Sequence, residues 1–90
     1  MFFHVEQVHS PENCPYGRGG SRSLHDASVT GVKVVAIYGS FTEHKLFLIV
    51  EANDIDMLNK FLLPGMKVCT ARITPVSEHA MPLSTAPATA

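Results

Sequence analysis

The residues best suited to chemistry at neutral pH are five histidines and two cysteines. Imidazole titrates near neutrality and ligates metals as the neutral ring, while a thiolate is both a soft ligand and a nucleophile. His4 and Glu6 form a His-x-Glu step; on a strand, alternation turns both side chains to one face, where they reach a common point. With a further imidazole this pair is part of a facial iron site, and imidazole plus carboxylate also suits zinc or nickel. The plainer reading is an ion pair or hydrogen bond, and a third is proton transfer through His4. His9 and Cys14 flank the start of a Pro- and Gly-rich stretch over residues 10–20. A long irregular loop in a compact domain is usually functional or mobile. Cys14 is there a soft ligand or nucleophile with His9 as co-ligand or base, although the spacing matches no established zinc motif and a partly covered structural thiol competes. The expected metal set is therefore His4, Glu6, His9 and Cys14, for iron, nickel, zinc or copper.

Arg72 and Glu51 are the other candidates. On adjacent strands the guanidinium can hold the carboxylate in a bidentate pair, or it can hold the anionic end of a substrate. Arg18-Gly19-Gly20-Ser21 resembles an anion loop only superficially, because it does not directly follow a strand and lacks the Lys-Ser/Thr of a nucleotide site. His25, His44 and His79 are expected to be exposed.

These groups must be positioned by a small number of elements. Residues 2–9 read as a strand that ends at Ser10-Pro11, since proline cannot donate to a ladder. Ser21 to Ala27 can hold a short helix. Residues 32–39 are β-branched between two glycines and make a second strand, and residues 45–52 make a third, joined to it as a hairpin. Asn53 is a plausible helix cap, with Ile55, Leu58, Phe61 and Leu62 recurring on one face until Pro64-Gly65. Residues 67–76 alternate as a fourth strand. No internal repeat is present.

A chain of 90 residues makes one domain, expected over 1–78 with a flexible tail over 79–90. Its 46% apolar content is ample for a core. A net charge of −1 and scattered basic residues exclude an electrostatic footprint for nucleic acid or for a membrane surface. The first residues lack the basic start and apolar run of a secretory leader, and two cysteines do not make a disulfide framework, so a cytoplasmic location is expected.

Three stretches carry a family likeness: Gly31-Val32-Lys33-Val34 opening the second strand, Leu48-Ile49-Val50-Glu51-Ala52-Asn53-Asp54 running into the helix, and Ile73-Thr74-Pro75-Val76. Through them the chain, over residues 2–77, resembles the dimeric α/β-barrel superfamily, in particular its small bacterial members. The resemblance implies an α+β fold, a ferredoxin-like βαββαβ unit with a four-stranded antiparallel sheet. Here its first helix is short or irregular. One helical layer covers one sheet face, so the other face needs a partner, and a homodimer would close a cavity there. Alternation places Phe3, Val5, Leu46, Leu48, Val50, Cys69, Ala71 and Ile73 toward the helix. Phe2, His4, Glu6, Val8, Phe47, Ile49, Glu51, Thr70, Arg72 and Thr74 then face the cavity, with Tyr38 able to join them. The superfamily spans several chemistries, so three functions are expected in order. The first is a homodimeric protein binding a small ligand or transition metal, with Tyr38, Glu51 and Arg72 as ligand contacts. The second is a cofactor-independent isomerase- or monooxygenase-like enzyme with His4 as proton shuttle and Arg72 as anion holder. The third is an accessory subunit of a larger assembly.

Overall fold

A computed structural model describes residues 1–79 and residue 81. The expected tail over 79–90 lies almost wholly outside the described residues. Strand β1 spans Phe2–His9, β2 Val32–Ser40, β3 Lys45–Ala52 and β4 Cys69–Val76, with one α-helix, α1, over Ile55–Leu62. The sheet order is β2-β3-β1-β4, and each neighbouring pair is antiparallel. The molecule is α+β, with a four-stranded antiparallel open sheet and one short helix.

Strict alternation shapes the central strand. In β1 the odd residues Phe3, Val5, Gln7 and His9 are buried and the even ones are half-buried. The same face of β3 presents Leu48, Val50 and Ala52, and α1 lays Leu58, Phe61 and Leu62 against them to make the core. Ile73 of β4 and Val29, Val32 and Leu46 pack around its margin. The other face carries Phe2, His4, Glu6, Phe47, Ile49, Thr74 and Arg72, and no element of the described chain covers it. The overall extents of 44 × 32 × 17 Å are those of a slab one sheet and one partial layer thick.

Several expectations need correction. Asp54, one residue beyond Asn53, caps α1: its carboxylate accepts from the Met57 amide at 2.8 Å, satisfying one of the orphan donors of the first turn. Strand β4 opens at Cys69 instead of residue 67, because a 3₁₀ turn over Leu63–Lys67 follows the helix directly. Glu51 and Arg72 do not sit on adjacent strands. β1 lies between them, with Glu51 opposite Phe2 and Arg72 opposite Glu6, so a bidentate pair across one strand gap cannot form. Where a first helix would stand, residues 10–30 hold two 3₁₀ turns, Pro11–Asn13 and Gly20–Leu24. Gly19 and Gly20 adopt φ of 92° and 69°, a left-handed step that ends any right-handed helix and that glycine alone takes freely. Among the described residues, no helix is long and apolar enough to cross a membrane.

Candidate metal centre

Two buried polar side chains sit two residues apart on the core face of β1. The first, Gln7, is fully buried and fully engaged. Its carbonyl is 2.7 Å from His25 Nε2, its amide faces Cys69 Sγ at 3.7 Å, and that thiol donates to the Gly65 carbonyl at 3.0 Å. His25 also stacks on Phe61 at 4.9 Å with planes 8° apart. Burial lowers the His25 pKa and raises that of the Cys69 thiol, the latter partly offset by the hydrogen bond from Gln7. Gly65 belongs to the same knot: a Cβ there would stand 2.9 Å from the Leu24 carbonyl, so the 3₁₀ turns can approach this closely only over glycine. His25 is thus half-buried and bonded, where exposure was expected.

The second, His9, is 7% exposed, and neither ring nitrogen has a hydrogen-bond partner among the described residues. An unpaired buried polar group costs about 1–3 kcal/mol, so this is an anomaly to be explained. Its neighbours supply the explanation. His9, Cys14 and His44 each offer one donor atom, and these atoms lie within 4.8 Å of one another. The His9 and His44 rings meet edge to face at 5.3 Å, and the His44 Nδ1 is also buried without a partner.

Three separate elements build the cluster. His9 is the last residue of β1, and its amide donates to the His44 carbonyl at 3.1 Å, which fixes the two residues side by side. Cys14 is folded back toward His9 by the turn that starts at Ser10. Pro11 sets the first 3₁₀ position, the Asn13 amide donates to the Ser10 carbonyl at 3.0 Å, and the Cys14 amide donates to the Pro11 carbonyl at 3.3 Å. The Asn13 side chain also donates to Ser10 Oγ at 3.1 Å. His44 closes the β2–β3 hairpin turn with φ of 55°, the one left-handed non-glycine residue among those described. That conformation costs a non-glycine residue about 1–2 kcal/mol, and such strain concentrates at functional sites.

Burial, and after it the neighbouring His44, hold the His9 ring below its ordinary value of 6.5, so it is neutral at pH 7 and able to ligate. The cluster lines a cavity of about 320 Å³, whose walls also include Pro15, Tyr16, Ile37, Phe41 and Leu46. Two nitrogens and one sulfur form a borderline-to-soft donor set that suits zinc or copper and disfavours magnesium and calcium. Tetrahedral zinc would draw the donor atoms to about 3.5 Å apart, a closure of no more than about 1.3 Å from the present spread.

Of the expected metal set, the structure brings His9 and Cys14 together and leaves His4 and Glu6 on the opposite, open face. Glu6 pairs there with Lys45 at 3.5 Å and stands opposite Arg72, and His4 approaches Phe47 at 6.2 Å between ring centroids. Glu6 and Arg72 border a shallow depression of about 230 Å³ on that face, and Glu51 belongs to another, of about 270 Å³, beside Gly31 and Asn53. Tyr38 also projects from the open face, opposite Phe47 and largely exposed. His44, expected to be exposed like His79, is instead half-buried. One signal in the sequence marks it: the turn Phe41-Thr42-Glu43-His44 contains no Gly, Asn, Asp or Pro, the residues that ordinarily supply turn geometry.

Residues 2–87 match the model of a family described as Domain of unknown function (DUF3303). No curated protein and no solved structure matches the chain.

Proposed function

This chain belongs to the DUF3303 family, and from that premise we propose that it is a small metal-binding protein that holds a zinc or copper ion through His9, Cys14 and His44. The observation that carries the reading is the buried His9 ring with both nitrogens unpartnered, beside a thiol and a second imidazole within 4.8 Å. Three protein ligands leave a fourth position open, which is the arrangement of reactive and ligand-binding zinc sites, whereas structural sites are closed. Metal uptake displaces the Cys14 thiol proton and recruits the lone pairs that burial leaves idle.

The wider reading is a ferredoxin-like unit that works as a cytoplasmic homodimer. A split βαβ arrangement with all neighbours antiparallel accounts for the strand order β2-β3-β1-β4, with residues 10–30 replacing the first helix by turns. The uncovered face, with Phe2, Tyr38, Phe47, Ile49 and Val76, supports pairing with a second copy. Free thiols at Cys14 and Cys69 fit a reducing compartment.

The test is metal analysis of freshly purified protein, followed by calorimetric titration of the metal-free form with zinc and with copper(I). One ion per chain is expected, with affinity reduced at least about 100-fold in Cys14→Ser and in His9→Leu, which is about 2.8 kcal/mol or more. Unchanged affinity in both variants would defeat the assignment. Tight binding that disappears in His4→Ala would move the site to the open face.

A further inference from the structure

The cavity beside the cluster has a chemistry of its own. Its walls are mainly apolar: Pro15 is buried in them, Ile37 and Leu46 line them, and Tyr16 and Phe41 meet edge to face at 5.8 Å at the mouth. Gly39 also lines it, where a Cβ would come into van der Waals contact with Leu46 at 3.4 Å. At about 320 Å³ it falls in the range of small-molecule pockets and has room for a single ring with a short head group. Its polar lining includes the clustered donors His9, Cys14 and His44, together with Ser21, Ser40 and Lys45.

Charge decides what kind of head group belongs there. Copper(I) held by one thiolate and two neutral imidazoles would retain no charge, whereas zinc would retain one positive charge. Among the described residues the lining contains no Asp or Glu to neutralise it, and Lys45, also in the lining, is tied to Glu6 at 3.5 Å. An uncompensated charge against apolar walls is costly, so the fourth ligand should bring a negative charge with it. A water-derived hydroxide would meet the charge but leave the aromatic and aliphatic walls unused.

We propose that this site binds a small apolar monoanion, with its carboxylate or thiolate on the metal's open position and its ring or alkyl body along Ile37, Leu46, Tyr16 and Phe41. The inference rests on the metal reading above and names the ligand class of that same centre.

Cobalt(II) is the probe ion, because a sulfur-to-cobalt charge-transfer band reports Cys14 ligation and the visible bands report the fourth ligand. The cobalt-loaded protein is titrated with benzoate, with acetate and with benzamide. Acetate keeps the donor and lacks the body, whereas benzamide keeps the body and lacks the charge. Benzoate is expected to shift the visible bands at a concentration at least about tenfold below that needed for acetate, as a ring leaving water for an apolar wall requires. Benzamide is expected to leave them unchanged. Ile37→Trp, which fills the cavity from a half-exposed strand position, should keep the charge-transfer band and lose the preference for benzoate over acetate. Absence of the charge-transfer band in the wild-type chain would overturn the metal reading and this one with it. A normal band with benzoate no better than acetate, or with benzamide as effective as benzoate, would overturn this inference alone.

Discussion

Gln7 and His9 occupy equivalent positions on one strand, both buried on the same face, yet their surroundings differ in kind. Around Gln7 each polar atom is matched within the chain: His25, Cys69 and the Gly65 carbonyl close a hydrogen-bonded knot that ties two 3₁₀ turns to the sheet. Around His9 the polar atoms are gathered and left unmatched. Burying a polar side chain is tolerable when it is bonded, so the Gln7 knot is explained by stability alone. The His9 cluster lowers stability as it stands, and that imbalance is what the metal reading rests on. The strain at His44 points the same way, since glycine would close that turn at lower cost.

The largest effect expected from this contrast is in Gln7→Ala. It leaves His25 Nε2 without its partner, removes the amide that faces the Cys69 sulfur and opens a cavity, and should cost about 2–4 kcal/mol in urea denaturation of the metal-free protein. His9→Leu, of similar volume, should by contrast be neutral or stabilising by about 1 kcal/mol in the same measurement, because it removes idle buried nitrogens. If the two variants lose comparable stability without metal, the two regions are alike and His9 is structural.

His44→Gly sharpens the comparison further. It relieves about 1–2 kcal/mol of left-handed backbone cost and adds about 0.5–1 kcal/mol of freedom to the unfolded chain, so metal-free stability should rise by at most about 1.5 kcal/mol. Zinc affinity should fall in the same variant, and a stabilised protein with intact affinity would remove His44 from the site. The smallest effect is a pH dependence of the Gln7 knot. Burial depresses His25 below 6.5 in the folded chain, so as pH falls the unfolded chain takes up that proton first. Stability should be fully present above about pH 6.5 and decline as pH falls from there toward the lower folded value. His25→Gln should flatten that part of the denaturation profile, and an unaltered slope would show that His25 contributes nothing to it.

Much of the fold was legible in the chain because strand faces follow a period of two. The alternation of Phe3, Val5, Leu48, Val50 and Ile73 assigned the core face, and β1 and β3 begin and end where their composition places them. The helix cap was displaced by one residue because Asn53 and Asp54 are both competent caps, and only backbone geometry chooses between them. Glu51 and Arg72 were placed on neighbouring strands because strand order is a property of the assembled sheet, which local periodicity does not encode. For the same reason two of the three residues of the candidate site were readable. His9 and Cys14 are close in sequence and stand in an irregular loop, whereas His44 arrives through the pairing of β1 with β3, in a turn that reads locally as solvent-exposed.

The hydrogen bond from the His9 amide to the His44 carbonyl has a consequence for how the sheet finds its alignment. Sliding β1 along β3 by two residues would keep every apolar side chain on its own side, so hydrophobic patterning discriminates poorly against that error. Such a slip would, however, carry His9 about 7 Å along the strand, away from His44. An ion bridging the two imidazoles would therefore select the native alignment over its nearest competitor, making the metal a proofreader of strand pairing as well as a bound cargo.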